Sequence, residues 1–185
     1  MRIPKIIWFF LPVLLTIPGK SQSTASPAPD TQKIKWMTFE EAYALNKKKP
    51  KKIFIDVFTD WCGWCKKMDA TTFVHPEIAE LMNRNFYCVK LNAERKDTVI
   101  IDGVTFANPS PQSKRSTHQL AVELLRGQMS YPSYVFLNEK SQMLTVVPGY
   151  QPPRDFEPIL HYFIDNAYQN QSWEEYKGKF KGKIE

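Results

Sequence analysis

Trp61-Cys62-Gly63-Trp64-Cys65-Lys66 constrains this chain more than any other stretch. It follows an apolar, β-prone run, Ile53-Phe54-Ile55-Asp56-Val57-Phe58, and opens a helix-prone segment from Lys66 to Thr72. A strand that runs into a helix through two cysteines puts both thiols at a helix N-terminus. There unpaired N–H groups and the positive dipole end favour an anion. An ordinary cysteine has a pKa of about 8.5, and such a position lowers it to roughly 3.5–7.5. The thiolate is the nucleophile of thiol–disulfide exchange, so Cys62 and Cys65 are expected to close a small disulfide and open it again.

The first twenty residues stand apart from the rest. Arg2 and Lys5 precede an apolar stretch from Ile6 to Ile17, and small residues follow at Gly19, Ser21, Ser23 and Ala25. That is the layout of a secretory signal peptide over 1–20, and the stretch falls short of the ~18 apolar residues of a membrane span. An exported protein is the expectation, periplasmic if its source is bacterial, with secretion or an uncleaved membrane anchor as the alternatives. Without Arg2, Lys5 and Lys20 the formal net charge falls from +6 to +3, so a basic balance says little about nucleic acid. The lysine run Lys47, Lys48, Lys49, Lys51, Lys52 is expected to be a solvated loop, since no base-stacking pattern accompanies it. No nucleic-acid partner is expected.

Residues 21–33 are rich in Ser, Pro, Ala and Thr and read as a linker. Thr38-Phe39-Glu40-Glu41 matches a capping box, which predicts a helix from Phe39 to about Lys48, closed by Pro50. Lys52 to Thr59 reads as a buried central strand carrying Asp56. A helix follows the cysteine pair, another begins at His75-Pro76-Glu77, and Phe86 to Leu91 is the next strand. Strand, helix and strand at these lengths predict a parallel, right-handed crossover. Cys88 sits in that second strand, where a buried apolar role and a reactive thiol are both open.

Residues 92–117 are irregular and include Val99 to Phe106, a small hairpin on an Asp-Gly turn. A helix from His118 to Arg126 stops at Gly127, Ser133 to Asn138 and Met143 to Val147 form a hairpin, and Phe156 to Tyr168 is a further helix. The tail 169–185 is lysine-rich with Trp173, Tyr176 and Phe180, and its sequence leaves open whether it docks.

This order, with Cys-x-x-Cys after the central strand, resembles the thioredoxin fold over 34–168. The fold class is α/β, a central mixed sheet flanked by helices, with 92–117 as an insertion before the next helix. The resemblance implies roles residue by residue. Asp56 matches a buried acid behind the active site, and Lys90 matches the lysine that pairs with it. Tyr131-Pro132 matches a cis-proline facing the disulfide, and Gly149 a glycine of the substrate groove. Asp60 to Met68 is similar to exported bacterial thioredoxin-like proteins and to the C-terminal reductase domain of transmembrane disulfide-transfer reductases. Trp64 departs from the proline of cytosolic thioredoxins and the histidine of oxidants.

The implied activity is a protein-disulfide reductase. Cys62 attacks a substrate disulfide and Cys65 resolves the mixed disulfide. A buried carboxylate has a raised pKa and suits a proton acceptor, so Asp56 would serve Cys65; a structural salt bridge to Lys90 is compatible with that. Trp61, Gly63 and Trp64, with Tyr131, Pro132 and Gly149, would contact the substrate, although Trp61 could equally be core. Cys65 is expected to be more buried than Cys62. The expected partners are disulfide-containing proteins and a membrane-bound electron donor, with the protein a monomer and no cofactor. Oxidase or isomerase chemistry shares the same dithiol. A metal module is disfavoured because His75, His118 and His161 are scattered and no second cysteine pair exists. A non-catalytic client-binding protein with a structural disulfide is the other rival.

Overall fold

The computed structural model describes residues 33–184, so the expected signal peptide and nearly all of the linker lie outside the described residues. Among the described residues seven strands and six α-helices follow one another, beginning with β1 (Trp36–Met37), α1 (Phe39–Lys48), β2 (Lys52–Phe58), α2 (Gly63–Thr71), α3 (Pro76–Asn85) and β3 (Phe86–Asn92). Then come β4 (Val99–Ile101), β5 (Val104–Phe106), α4 (Gln119–Leu124), β6 (Ser133–Leu137), β7 (Met143–Pro148), α5 (Pro153–Ile164) and α6 (Trp173–Lys179). The main sheet has five strands in the order β1-β3-β2-β6-β7. β1, β3 and β2 are parallel, and β6 and β7 run antiparallel to them. This is the α/β thioredoxin fold that the sequence resembles.

Period-two alternation sorts the core. On β2, Phe54 and Asp56 face one side, and Ile53, Ile55 and Val57 the other. The first side packs Met68 of α2, Ile78 and Met82 of α3, and Phe156, Leu160 and Phe163 of α5 around Phe54, Tyr134 and Phe136. The second packs Phe39 and Ala42 of α1 with Leu120, Ala121 and Leu124 of α4. Phe54 anchors the first cluster, with rings of Phe73, Phe86, Tyr134, Phe136 and Phe156 within 6.4 Å of its own. Each such buried aromatic stabilises by roughly 1.5–3 kcal/mol through area removed from water.

Most element ends follow local chemistry. The Thr38 capping box starts α1. The Asp102-Gly103 turn has positive φ at both residues, 50° and 81°, as a two-residue hairpin requires. Three expectations need correction, and one strand is an addition. β1, two residues long, carries too little pattern to be read from sequence. α4 is shorter than expected, ending at Leu124, because Arg126 and Gly127 take left-handed φ values of 52° and 76°. α5 begins earlier, since Pro153 is tolerated in the first turn, and ends at Ile164 because Asn166 takes φ 55°. Nor is the lysine run simply solvated. Lys51 Nζ donates to the Asn83 carbonyl at 2.9 Å, and buried Lys52 pairs with Glu139 at 2.6 Å.

The tail docks on α5. A Ser172–Glu175 capping box starts α6, and Trp173 and Tyr176 lie 5.4 and 5.1 Å from the Tyr162 ring. Buried Glu157 of α5 accepts from the backbone N–H of Lys183 at 2.8 Å and of Ile184 at 3.0 Å. Among the described residues no helix is long and apolar enough to cross a membrane.

Candidate active site

The sheet delivers the cysteines to a helix start. β2 ends at Phe58, and the Cys62 N–H donates to the Thr59 carbonyl at 3.1 Å, which turns the chain into α2. Cys62 is the N-cap, and its Sγ accepts from the Cys65 N–H at 3.0 Å. That donor is one of the orphan N–H groups of the helix end, and it would hold a thiolate more strongly than a thiol. No acid lies in the first turn to oppose the dipole. Cys62 and Cys65 form a disulfide with Cα atoms 5.3 Å apart. They are buried alike, at 4% and 3% exposure, so the expected difference between them is absent. The cause is the N-cap position of Cys62, which tucks its side chain against the first turn instead of projecting it from the loop.

A charged group sits inside an apolar face of the sheet. Asp56 on β2 pairs in register with Lys90 on β3 and with Tyr134 on β6. Lys90 Nζ donates to Asp56 Oδ2 at 2.6 Å, and it also pairs with Asp69 of α2. Asp56 Oδ1 and the Tyr134 hydroxyl are buried with no hydrogen-bond partner among the described residues. Burial pushes the Asp56 carboxyl up to about 6, against the pull of the Lys90 ammonium. Burial also raises the Tyr134 hydroxyl, and the nearby Asp56 charge adds to it.

Aromatic residues form the rim. Trp61 and Trp64 are exposed at 50% and 56%, which resolves the open question for Trp61 in favour of the surface. Trp61 meets the Tyr131 ring edge-on at 5.9 Å, donates to Glu94 at 2.9 Å, and lies under the Arg115 guanidinium at 4.9 Å. Trp64 leans on Tyr150 at 5.5 Å, with Lys67 Nζ 4.9 Å from both rings. The Tyr131-Pro132 peptide is cis, and the Gly149 N–H donates to the Pro132 carbonyl at 2.8 Å. Gly149 has φ 87°, a conformation that favours glycine. Gly63 faces open space, so nothing within the chain requires glycine there.

Contacts link the sequence-derived residues in groups: Asp56 with Lys90, Trp61 with Tyr131, and Pro132 with Gly149, while Cys62, Gly63, Trp64 and Cys65 follow one another at the start of α2. The structure adds Asp69, Tyr150 and Arg115. Asp69 lies four residues after Cys65 on α2, a helical spacing that could have flagged it. Arg115 comes from the 92–117 insertion, whose course the sequence does not specify. Cys88 is buried in the apolar core, and burial pushes its thiol up to about 12, which keeps it protonated. Both ring nitrogens of buried His118 are used: Nδ1 accepts from the Leu120 N–H, and Nε2 meets the Asp97 carbonyl at 3.0 Å. Among the described residues no group of three or more metal-ligating side chains converges.

Comparison with known proteins places this architecture. Spermatogenesis-associated protein 20 of Rattus norvegicus is 29% identical over 181 residues, covering 83% of this chain and 21% of that protein. The Mus musculus protein of the same name is 38% identical over 60 residues, which is 32% of this chain and 8% of that one. The chain thus spans about a fifth or less of these relatives' length. Among solved structures, the DsbH oxidoreductase superposes with a TM-score of 0.55 at 16% identity, over 79% of this chain and 95% of that one. A thioredoxin from Thermus thermophilus gives 0.52 at 18% identity, over 71% and 87%. These likenesses are of fold. Residues 39–164, well over half the sequence, match the thioredoxin-like domain, and the chain belongs to that family.

Proposed function

We propose that this protein is a thiol–disulfide oxidoreductase that reduces disulfides in other proteins through Cys62 and Cys65. In the reduced enzyme, the Cys62 thiolate attacks one sulfur of the substrate disulfide. A Cys62–substrate mixed disulfide forms and the other substrate sulfur leaves as thiolate. Cys65 then gives its proton to Asp56 and attacks Cys62 Sγ. The Cys62–Cys65 disulfide forms, and the second substrate thiolate departs. Two electrons have passed to the substrate, so an external dithiol must return them. A membrane-bound donor fits the export signal read at the N-terminus, because no soluble reductant pool is assured outside the cytoplasm.

The observation that carries this reading is the Cys62–Cys65 disulfide at the N-cap of α2, with Cys62 Sγ already taking the Cys65 N–H. The raised Asp56 carboxyl supports the proton-accepting role, since a base with a pKa near the working pH is the most effective. The i,i+4 spacing of Cys65 and Asp69, with the contact of Asp69 with Lys90, supports a proton path from Cys65 toward Asp56. The exposed Trp61 and Trp64 supply an apolar landing surface beside the sulfurs. Trp64, in place of histidine before Cys65, favours reduction over oxidation.

The test is a pair of variants assayed on a protein disulfide. Cys62→Ser abolishes turnover, whereas Cys65→Ser accumulates mixed disulfides that separate on a non-reducing gel. Full turnover in Cys62→Ser contradicts the mechanism, whereas resistance of the Cys62–Cys65 pair to mild reductant favours a client-binding protein with a structural disulfide.

A further inference from the structure

Lys90 does not belong to Asp56 alone. Its ammonium touches two carboxylates, Asp56 Oδ2 at 2.6 Å on the sheet and Asp69 Oδ1 on α2. The rings of Trp36, Phe58 and Phe73 surround it, with centroids 5.1, 5.0 and 5.3 Å from Nζ. That aromatic collar leaves the ammonium few other positions. The two acids differ sharply in burial: the Asp56 side chain is 1% exposed and that of Asp69 is 47%. A cleft of about 400 Å³, lined by Lys33, Trp36, Phe73, Asp69 and Lys90, opens this cluster to solvent.

One cation shared by two anions cannot fully neutralise either. If Lys90 served Asp56 alone, its whole charge would favour the ionised carboxylate and make Asp56 a weaker base. Asp69 is a second anion that draws on the same ammonium. We propose that Asp69 is a positioning residue: by sharing Lys90 it keeps the buried Asp56 carboxylate able to take up a proton. This rests on the proton-accepting role of Asp56 in the reading above. The other titratable groups near the pair are Tyr134, in register with Asp56 on β6, Cys65, one turn before Asp69 on α2, and Lys33 at the cleft mouth; Tyr150 is reached through its contact with Thr71 at 3.1 Å. None of these contacts Lys90 Nζ, so Asp69 is its one competing anion among the described residues. The Asp69 charge raises the Asp56 carboxyl and Lys90 lowers it, as this arrangement requires.

The experiment is a carboxyl-carbon NMR titration of Asp56 in the reduced full-length protein labelled at aspartate, compared with Asp69→Asn and Asp69→Glu. Because Asp69 is half exposed, Asn at that position leaves the core packing intact. In Asp69→Asn the Asp56 midpoint falls by on the order of one pH unit, and Asp69→Glu restores it. The acid limb of the turnover profile moves to lower pH by the same amount. An Asp56 midpoint that stays in place in Asp69→Asn overturns the proposal. The midpoint is read without turnover, so it stands apart from the Cys62→Ser and Cys65→Ser assays that test the dithiol chemistry.

Discussion

Burying a carboxylate in the middle of a sheet costs free energy unless it is neutral or well paired. Asp56 is partly paired: Lys90 reaches Oδ2, while Oδ1 has no partner among the described residues. Its carboxyl, raised to about 6, binds a proton more tightly in the folded than in the unfolded chain. Stability from this group is therefore fully present below about pH 4 and is lost as pH rises toward 6. Asp56→Asn, which removes the charge but keeps the shape, should be more stable than wild type at pH 8 by on the order of 2–3 kcal/mol. At pH 4 the difference should vanish. Urea unfolding of the oxidised protein at both pH values checks this, and equal stability at pH 8 would contradict the burial account. The same substitution should slow resolution by Cys65, a trade of stability against function. In the sequence Asp56 stood out because it interrupts an apolar strand. Asp69 is marked only by its helical spacing from Cys65, and nothing in that spacing shows that a strand two elements away supplies its partner.

At the scale of elements, the C-terminal segment shows how a tail becomes part of a fold. Glu157 lies on α5 and is 2% exposed, yet its carboxylate is fully used by the N–H groups of Lys183 and Ile184. Gly182 precedes them, and a Cβ there would stand 2.3 Å from Glu157 Oε2. Gly182→Ala should therefore displace the carboxylate, and Glu157→Ala should remove the acceptor altogether. Losing such a charge-assisted acceptor for part-buried donors costs on the order of 1 kcal/mol. Both variants should speed amide hydrogen exchange at Lys183 and Ile184 while leaving the β2 amides protected. Unchanged exchange at 183 and 184 would refute the clamp. The sequence showed aromatic residues in this tail but not their partners, since Glu157 reads as a surface acid between Phe156 and Pro158. The helices and strands with strong local signals were legible: the Thr38 capping box, the apolar β2 run and the Asp102-Gly103 turn each fixed an element. Short β1 and the ends of α4 and α5 were not, because tertiary pairing and left-handed residues set them.

For the whole molecule, the sheet order turns scattered residues into one site. Parallel β3 and antiparallel β6 flank β2, so Lys90 and Tyr134 arrive beside Asp56 by register, and the cysteines follow at the β2–α2 junction. The Cys62–Cys65 disulfide and the Asp56–Lys90 pair were legible because each residue has a chemical reason to stand at its place in strand or helix. The aromatic rim was less so. The insertion reaches the rim through Arg115 on Trp61, and nothing local in residues 92–117 encodes that approach. The central claim is that this assembly holds a reducing dithiol, and the reduction potential of the Cys62–Cys65 pair tests it most directly. Equilibration of the protein in defined thiol–disulfide buffers should give a value near or below about −230 mV, in the reducing range of the family. A value near or above about −180 mV, where oxidants and isomerases lie, would contradict it.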